Sequence, residues 1–194
     1  SISAVPILSG ITIDKFGRLD SLIDDKVKTG IMADLYTKAK ERYDREQARI
    51  AAKAALTEGA EAPDFTLPTI DGGTLSLSSL RGKYVIIDFW GSWCGWCIKG
   101  MPEMKKYYEK YAGKLEILGV DCGDTEDKWK AAVEQHQLPW KHVKNDKGDN
   151  DITTMYAIEG YPTKLIIDPK GKIVKYIVGE DPAFYTALDE VLGK

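Results

Sequence analysis

The chain has 194 residues, 43% of them hydrophobic, and a formal net charge of −3 at pH 7. This length suits one ordinary α/β domain with an additional segment, and it is sufficient to bury a core. The nearly balanced charge does not indicate binding to nucleic acid or to an anionic membrane surface. No apolar run in the sequence approaches the roughly 20 residues that a membrane-spanning helix needs.

The first part of the chain is predicted to be mostly helical. Residues 1–18 contain proline and glycine and are expected to be irregular, and Asp20 is suited to cap a helix that runs to about Thr29. After an interruption at Gly30, residues 31–56 hold strong helix formers with a charged surface and only a weak apolar stripe. We interpret this long helix as a solvated lead into a domain. A connector from an upstream domain and a dimerisation arm are the alternatives.

A regular α/β series follows a boundary at residues 57–63. Short β-branched and apolar runs predict strands, and helical spacing of apolar residues predicts helices between them. The predicted elements are a hairpin with strands at 65–67 and 74–77, a strand at 84–90, a helix at 95–112, a strand at 115–121, a helix at 125–136, a strand at 140–143, a solvated acidic loop at 145–151, a short helix at 152–157, strands at 163–168 and 172–178, and a helix capped by Asp181 that ends at Leu192.

The most informative motif is a cysteine pair, Cys94 and Cys97, between a buried strand and a helix. The N–H groups and the dipole of a helix N-terminus stabilise a thiolate, and a thiol one turn later is close enough to close a disulfide. Such a pair is typical of redox catalysis or of metal binding. An inert pair or half of a zinc site is the alternative. Zinc needs further ligands, however, and the only histidines, His136 and His142, are distant in sequence.

Several motifs around the cysteine pair resemble those of the thioredoxin fold. They are Trp93-Cys94-Gly95-Trp96-Cys97 after Asp88-Phe89-Trp90, Pro102 in the following helix, and Tyr161-Pro162-Thr163 before a strand. Over residues 58–194 the resemblance narrows to the TlpA/ResA-like thiol–disulfide oxidoreductases. Three further segments carry it: Ala62-Pro63-Asp64-Phe65, Leu77-Ser78-Ser79-Leu80-Arg81-Gly82-Lys83 and Phe89-Trp90-Gly91-Ser92-Trp93-Cys94.

The resemblance implies an α/β thioredoxin fold, in which a central mixed sheet is flanked by helices. An N-terminal β-hairpin and an N-terminal helical extension would precede that sheet. The chain would then have two parts, a helical extension or linker at 1–57 and a thioredoxin-like domain at 58–194. Residues 1–57 look like the linker that precedes such domains in larger multidomain proteins of Bacteroides-type bacteria.

The resemblance also implies roles for the residues around the pair. Cys94, as the more exposed thiol, would attack as a thiolate, and Cys97 would be the buried thiol that resolves the mixed disulfide. Asp88 would be a buried acid beneath the pair, with a pKa raised by desolvation, and would take the proton from Cys97. The alternative for Asp88 is a strand position that faces solvent.

Two further parts of the site follow from the same resemblance. The peptide bond before Pro162 is expected to be cis, with an ordinary trans proline as the alternative, and the backbone of Tyr161 would pair with an extended substrate. Trp93, Trp96 and Tyr161 are expected to form one stack of exposed aromatic side chains, an apolar docking surface for protein substrates.

The sequence departs from the family pattern at two positions. Trp96 replaces the proline that is usual between the cysteines and restores an N–H group near the sulfur atoms, so we expect a redox potential less negative than that of thioredoxin. Gly100 stands where relatives that mature cytochromes c often carry glutamate, which weakens any transfer of that role. Cys122, the third cysteine, is expected to be a buried small hydrophobe, and a second resolving thiol is the alternative.

The predicted function is thiol–disulfide exchange with cysteines of exported proteins, as a reductase supplied by an upstream thiol donor. No cofactor, metal or nucleic acid is expected. The resemblance implies a periplasmic or cell-envelope location, with a possible membrane tether outside this chain. Alternatives are a disulfide isomerase or oxidase, a non-enzymatic carrier that binds metal or haem apoprotein, and a thiol peroxidase of the same fold. The Pro, Thr and Arg residues that such peroxidases place around their cysteine do not surround Cys94.

Overall fold

The computed structural model of the chain describes residues 13–148 and 151–193. The chain divides into two compact units, Ser1–Ala52 and Lys53–Lys194, which we call the N-terminal and the C-terminal unit. The expectation of an irregular segment at 1–18 is wrong from residue 13 onwards, where a helix begins; its first twelve residues lie outside the described part of the chain.

The N-terminal unit is helical. Asp20 does not cap the second helix as expected, because the chain turns through a short 3-10 helix there, and the Asp24 side chain instead accepts a hydrogen bond of 2.8 Å from the Lys26 N–H. Phe16 is 1% exposed and anchors a small apolar cluster with Ala39. The helices are α1 (Ile13–Leu19), α2 (Asp25–Thr29) and α3 (Ala33–Ala55), the last of which extends into the C-terminal unit.

No helix in the described ranges is both long and apolar enough to cross a bilayer. The long helix α3 has a single buried residue, Ala39, and Ile50 on the same predicted apolar stripe is 52% exposed. Its surface is therefore largely solvated, as its charged sequence predicts.

The C-terminal unit contains a hairpin and a mixed five-stranded sheet. The hairpin pairs β1 (Thr66–Pro68) and β2 (Thr74–Ser76) antiparallel. The five-stranded sheet has the order β5-β4-β3-β6-β7, in which β3 is parallel to β4 and antiparallel to β6. Its strands are β3 (Tyr84–Trp90), β4 (Leu115–Cys122), β5 (Lys141–Asn145), β6 (Thr163–Ile167) and β7 (Ile173–Val178). The predicted mixed sheet flanked by helices is confirmed.

The three α-helices described in this unit all contribute buried side chains to one core cluster with the central strand. The core unites Ile86 and Trp90 of β3 with Cys97 of the first helix and with Phe184 and Leu188 of the last one. Each fully buried apolar side chain of this kind contributes about 1.5–3 kcal/mol. The helices are α4 (Gly95–Lys110), α5 (Glu126–Gln135) and α6 (Pro182–Leu192).

The helix predicted at 152–157 is wrong, because this segment forms a series of turns. The Asn145 side chain accepts a hydrogen bond of 2.9 Å from the Ile152 N–H, and Ala157 has a positive φ of 49°, a left-handed conformation that no α-helix continues through. Tyr156 is fully buried. The predicted acidic loop at 145–151 surrounds residues 149 and 150, which the structure does not describe.

Candidate active site

The cysteine pair lies at the turn between β3 and α4. Cys94 is the N-cap residue of α4, and its Sγ accepts a hydrogen bond of 3.2 Å from the Cys97 N–H. The two residues form a disulfide with an S–S distance of 2.12 Å and a Cα–Cα distance of 5.3 Å. This confirms that the second thiol is close enough to close the bond. Reduction of the bond would leave the Cys94 sulfur against the free N–H groups and the positive end of the helix dipole, which stabilise a thiolate.

The expected difference in exposure within the pair is small. Cys94 is the more exposed residue, as expected, but with 6% exposure against 4% for Cys97 both residues are buried. The reason is local, because the Cys94 side chain turns back to cap α4 and joins the same core cluster as Cys97. A substrate disulfide therefore has to approach a recessed sulfur atom.

The turn before the pair is fixed by a residue that the sequence analysis did not identify. Asp124 accepts hydrogen bonds from the Ser92 N–H at 2.6 Å and from the Ser92 hydroxyl at 2.7 Å. Asp124 follows β4, which is parallel to β3, so the carboxyl ends of the two strands meet at one edge of the sheet. The predicted strands β3 and β4 are neighbours in the chain, so their pairing could have placed Asp124 beside the active-site turn from the sequence.

A second carboxyl group, Asp121, lies next to Asp124. Burial and the neighbouring Asp124 carboxylate raise the pKa of Asp121 to about 8. Burial also opposes the ionisation of Asp124, but the hydrogen bonds from Asp121 and Ser92 outweigh it and lower the Asp124 pKa. Asp124 is therefore the ionised partner near neutral pH, and it is the one that holds the active-site turn.

Asp88 is buried in the middle of β3, with 6% exposure, so the alternative of a solvent-facing position is wrong. Desolvation raises the pKa of Asp88 to about 6, while the Lys164 ammonium lowers it and the Glu180 carboxylate raises it. The Lys164 Nζ is 4.0 Å from Asp88 Oδ1, and that oxygen has no hydrogen-bond partner among the residues described. The predicted raised pKa is confirmed, and the catalytic role of Asp88 stays a prediction.

Lys164 and Glu180 are two further charged residues that the sequence analysis missed. Lys164 is 2% exposed, and its ammonium group forms an ion pair with Glu180. The signal for Lys164 was available, since a lysine in the apolar strand predicted at 163–168 requires a buried anionic partner. The identity of that partner was not available, because Glu180 comes from the loop between β7 and α6.

The Tyr161–Pro162 peptide bond is cis, as predicted. The Tyr161 ring packs edge-on against the Trp93 indole at a centroid distance of 5.0 Å, which places the loop before β6 beside the active-site turn. The Trp93 Nε1 also donates a hydrogen bond of 3.1 Å to the carbonyl oxygen of Cys122. Trp93 is nevertheless 55% exposed, so this aromatic pair presents apolar surface next to the disulfide.

The expectation that Trp93, Trp96 and Tyr161 form one stack is wrong. Trp93 and Tyr161 line a recess of about 380 Å³, whereas Trp96 lines a separate groove of about 540 Å³ between α4 and α6. Trp96 is 63% exposed, and the Lys99 ammonium lies 4.9 Å from its ring centroid. The two indoles diverge because Trp93 precedes α4, whereas Trp96 belongs to its first turn.

Cys122, the third cysteine, is free and buried. Burial raises the pKa of the Cys122 thiol to about 12. A thiol with such a pKa is a poor nucleophile near neutral pH, which agrees with the expectation of a small buried hydrophobe. Its carbonyl oxygen, rather than its sulfur, contacts the active-site turn through Trp93.

A mixed sheet of this order, with a disulfide-forming Cys-x-x-Cys at the start of a helix, defines a thioredoxin-like protein with a redox-active pair. The sequence model of the AhpC/TSA family matches residues 59–176. The thiol-disulfide oxidoreductase ResA of Bacillus cereus is 40% identical over 135 residues, which are 69% of this chain and 77% of that protein. The chain therefore belongs to the AhpC/TSA family, and it is a thioredoxin-like thiol–disulfide oxidoreductase related to ResA.

Solved structures show the same relationship. The thioredoxin domain of a thiol-disulfide oxidoreductase from Bacteroides vulgatus is 34% identical, with a TM-score of 0.65 over 71% of this chain and 99% of that one. A thiol:disulfide interchange protein from a Bacteroides species is 32% identical, with a TM-score of 0.66 over 72% of this chain and 93% of that one.

Proposed function

We propose that this protein reduces disulfides of exported proteins through the Cys94–Cys97 pair. The observation that carries the proposal is the position of that pair, which lies at the N-terminus of α4 beside the loop before Pro162. The relatives named above support thiol–disulfide chemistry, and the reductive direction is our inference. An extracytoplasmic location and supply of electrons by an upstream thiol donor belong to the same proposal.

The proposed reaction has two exchange steps. In the reduced protein the Cys94 thiolate attacks one sulfur of the substrate disulfide, forms a mixed disulfide and releases the first substrate thiolate. Asp88 takes the proton from the Cys97 thiol, whose thiolate then attacks the Cys94 sulfur and releases the second substrate thiolate. Two electrons pass from the dithiol to the substrate, and the Cys94–Cys97 disulfide forms.

The recessed sulfur atoms favour an extended substrate. The backbone of Tyr161, before the cis proline, would pair with the main chain of such a segment, and the exposed face of Trp93 would pack against its side chains. Main-chain pairing selects conformation rather than sequence. The proposed substrates are therefore unfolded or extended proteins with accessible disulfides.

Peroxide reduction receives no comparable support from the site. Arg81 is the only arginine after residue 52 in the sequence. Its guanidinium group pairs with Glu61 at 2.8 Å and donates a hydrogen bond of 2.5 Å to the Lys170 carbonyl oxygen. It is thus engaged with the turn after β6 rather than with the cysteine pair.

The proposal is tested by redox titration of the full chain in glutathione and dithiothreitol buffers, followed by tryptophan fluorescence. We expect one reversible two-electron transition, which is lost in Cys94→Ser and in Cys97→Ser and is unchanged in the matched control Cys122→Ser. The wild type and Cys122→Ser should accelerate the reduction of insulin disulfides by dithiothreitol, whereas Cys94→Ser and Cys97→Ser should not. Absence of any reversible transition, or loss of the transition in Cys122→Ser, would contradict the proposal.

The midpoint of the same titration tests the direction. A potential near −270 mV, about that of thioredoxin, would fit a reductant supplied by a donor. A potential between about −180 and −120 mV would instead identify an isomerase or oxidase. Because Trp96 restores an N–H group near the sulfur atoms, we expect a value less negative than that of thioredoxin but still more negative than about −180 mV, as the proposed reductase requires.

A further inference from the structure

Helix α4 has a gap on its buried face, one turn after the cysteine pair. Gly100 is three residues after Cys97, and residues at this spacing lie on the same face of a helix. Both residues are buried. A Cβ atom at position 100 would collide with the carboxylate of Glu180. Glu180, from the loop before α6, therefore occupies the space that a side chain at position 100 would otherwise fill.

The Glu180 carboxylate is connected to Asp88 through Lys164. Lys164 is the register partner of Asp88 across the antiparallel pair of β6 and β3, so both side chains lie on the same face of the sheet. The Lys164 ammonium forms a direct hydrogen bond and ion pair with Glu180, but it is 4.0 Å from Asp88 Oδ1, beyond hydrogen-bond distance. One buried cation is thus shared unequally by two carboxylates.

We propose that Glu180 is a positioning residue of the active site, which holds the Lys164 ammonium away from Asp88 and so keeps Asp88 able to accept the Cys97 proton. This inference rests on the proposed function, in which Asp88 serves that thiol. It assigns to Glu180 and Gly100 a joint role, since only a residue without a side chain leaves room for the carboxylate.

The physical basis is the competition of two acids for one cation. The Glu180 side chain is 19% exposed at the groove between α4 and α6, whereas the Lys164 side chain is only 3% exposed. If Glu180 lost its charge, the Lys164 ammonium would have Asp88 as its remaining anionic neighbour and would move to pair with it. A cation in direct contact lowers the pKa of a carboxyl group by about 1–3 units, which makes it a poorer acceptor for a thiol proton.

Other titratable groups also interact with Asp88. Tyr185 of α6 lies in the same groove as Glu180, and burial raises its pKa, so it is neutral near pH 7. Cys122 is on the opposite face of β4, because Asp88 is aligned with Gly119 and side chains alternate between the two faces of a strand. Its thiol is also neutral, since burial raises its pKa. The groups that face Asp88 are therefore Lys164, Glu180, Tyr185 and the cysteine pair at the start of α4.

The test measures the pH dependence of oxidation of the reduced full chain by oxidised glutathione, followed by stopped-flow tryptophan fluorescence from pH 5 to 9. The midpoint is the pH at which the oxidation rate reaches half of its plateau as Asp88 ionises. For Glu180→Gln we expect this midpoint to fall by at least about one pH unit, because Lys164 then pairs with Asp88. For Lys164→Met we expect the midpoint to rise. The matched control is Glu103→Gln, which removes a carboxylate from the same groove, where Glu103 pairs with Lys106 at 2.8 Å.

The outcomes separate the inference from the proposed function. A wild-type protein that does not exchange with glutathione at any pH would overturn the proposed function. An active wild type in which Glu180→Gln and Glu103→Gln have the same pH midpoint would overturn the inference alone. If Glu180→Gln does not fold by circular dichroism, Gly100→Ala replaces it. Its methyl group displaces the Glu180 carboxylate without a change of charge, and the midpoint should again fall; an unchanged midpoint would overturn the inference.

Discussion

Asp88 makes the folded protein less stable whenever it is ionised, because its carboxylate is buried. Its pKa is about 6 in the folded protein and 3.8 for an ordinary aspartate. Between these two pH values the folded state binds a proton that the unfolded state has released. The free energy of unfolding therefore falls as the pH rises through this window and stays low above it.

We predict that Asp88→Asn is more stable than the wild type above pH 6. The expected gain at pH 7 is about 3 kcal/mol, the value that corresponds to the raised pKa, and it should fall below about 1 kcal/mol at pH 4. The Lys164–Glu180 ion pair remains in place in this variant. Urea denaturation at pH 4, 5, 6 and 7 measures the difference, with Asp127→Asn at an exposed position as the control.

Exchange activity should change in the opposite direction, since the variant has no base for the Cys97 proton. A variant that is no more stable than the wild type at pH 7 would show that the buried carboxyl group is not ionised there. A variant with unchanged exchange rates across pH 5–9 would remove Asp88 from the mechanism.

The positions of some functional residues could be predicted from the sequence, and those of others could not. The cysteine pair is visible in the sequence itself, whereas the cis bond before Pro162 and the buried position of Asp88 were implied by the resemblance of short motifs to those of a known family. The contacts of Lys164 and Glu180 join a strand to a distant loop. No local pattern specifies such a pair, so it became visible only after the strands had been placed.

At the scale of elements, the active-site turn depends on a neighbouring strand. The loop from Gly91 to Cys94 has one internal backbone hydrogen bond, from the Cys94 N–H to the Gly91 carbonyl oxygen at 3.0 Å. Two further hydrogen bonds come from Ser92 to the Asp124 carboxylate after β4. The position of the Cys94 sulfur therefore depends on Asp124, although the two residues are far apart in sequence.

We predict that Asp124→Ala destabilises the protein by about 2 kcal/mol and slows disulfide exchange. Hydrogen bonds to a charged acceptor contribute about 1.5–3 kcal/mol each, and the part-buried Ser92 N–H would lose its partner. Without the Asp124 carboxylate the pKa of Asp121 is raised less, so the burial of Asp121 costs less at neutral pH, which offsets part of this loss. Urea denaturation and the rate of oxidation by oxidised glutathione are the measurements.

Ser92→Ala is the matched comparison, because it removes the hydroxyl hydrogen bond and keeps the one from the backbone. Its loss of stability should be about 1 kcal/mol. Equal effects of the two variants on stability and rate would contradict the view that the backbone hydrogen bond fixes the turn.

The strands β3, β4 and β6 were predictable because they are buried on both faces and appear as short, mostly apolar runs. The segment 152–157 was not, although its length and apolar residues resemble a helical turn. Its backbone is held by the Asn145 side chain, and Ala157 adopts a left-handed conformation. Side chains from a neighbouring strand thus decide the structure of a segment whose own propensity is weak.

At the scale of the whole molecule, the C-terminal unit begins before the predicted domain boundary at residue 58. Leu56 is 8% exposed, and the Lys53 ammonium lies 4.2 Å from the Tyr176 ring centroid and 3.7 Å from the Glu159 carboxylate. These contacts belong to the C-terminal unit, whereas the prediction placed the boundary in the stretch 57–63, which contains glycine and proline. That stretch marks the end of the long helix, but residues before it already pack against the C-terminal unit.

We therefore predict that fragments 53–194 and 58–194 both fold and exchange disulfides, but with different stabilities. The shorter fragment loses the burial of Leu56, a contribution of about 2 kcal/mol, together with the Lys53 contacts. Urea denaturation of the two fragments measures the difference. Fragment 53–194 carrying Leu56→Ala serves as the control, since it should lose most of the same free energy without any change in length. Equal stability of the two fragments would place the start of the domain at residue 58, and failure of 53–194 to fold would show that this unit depends on the helical extension.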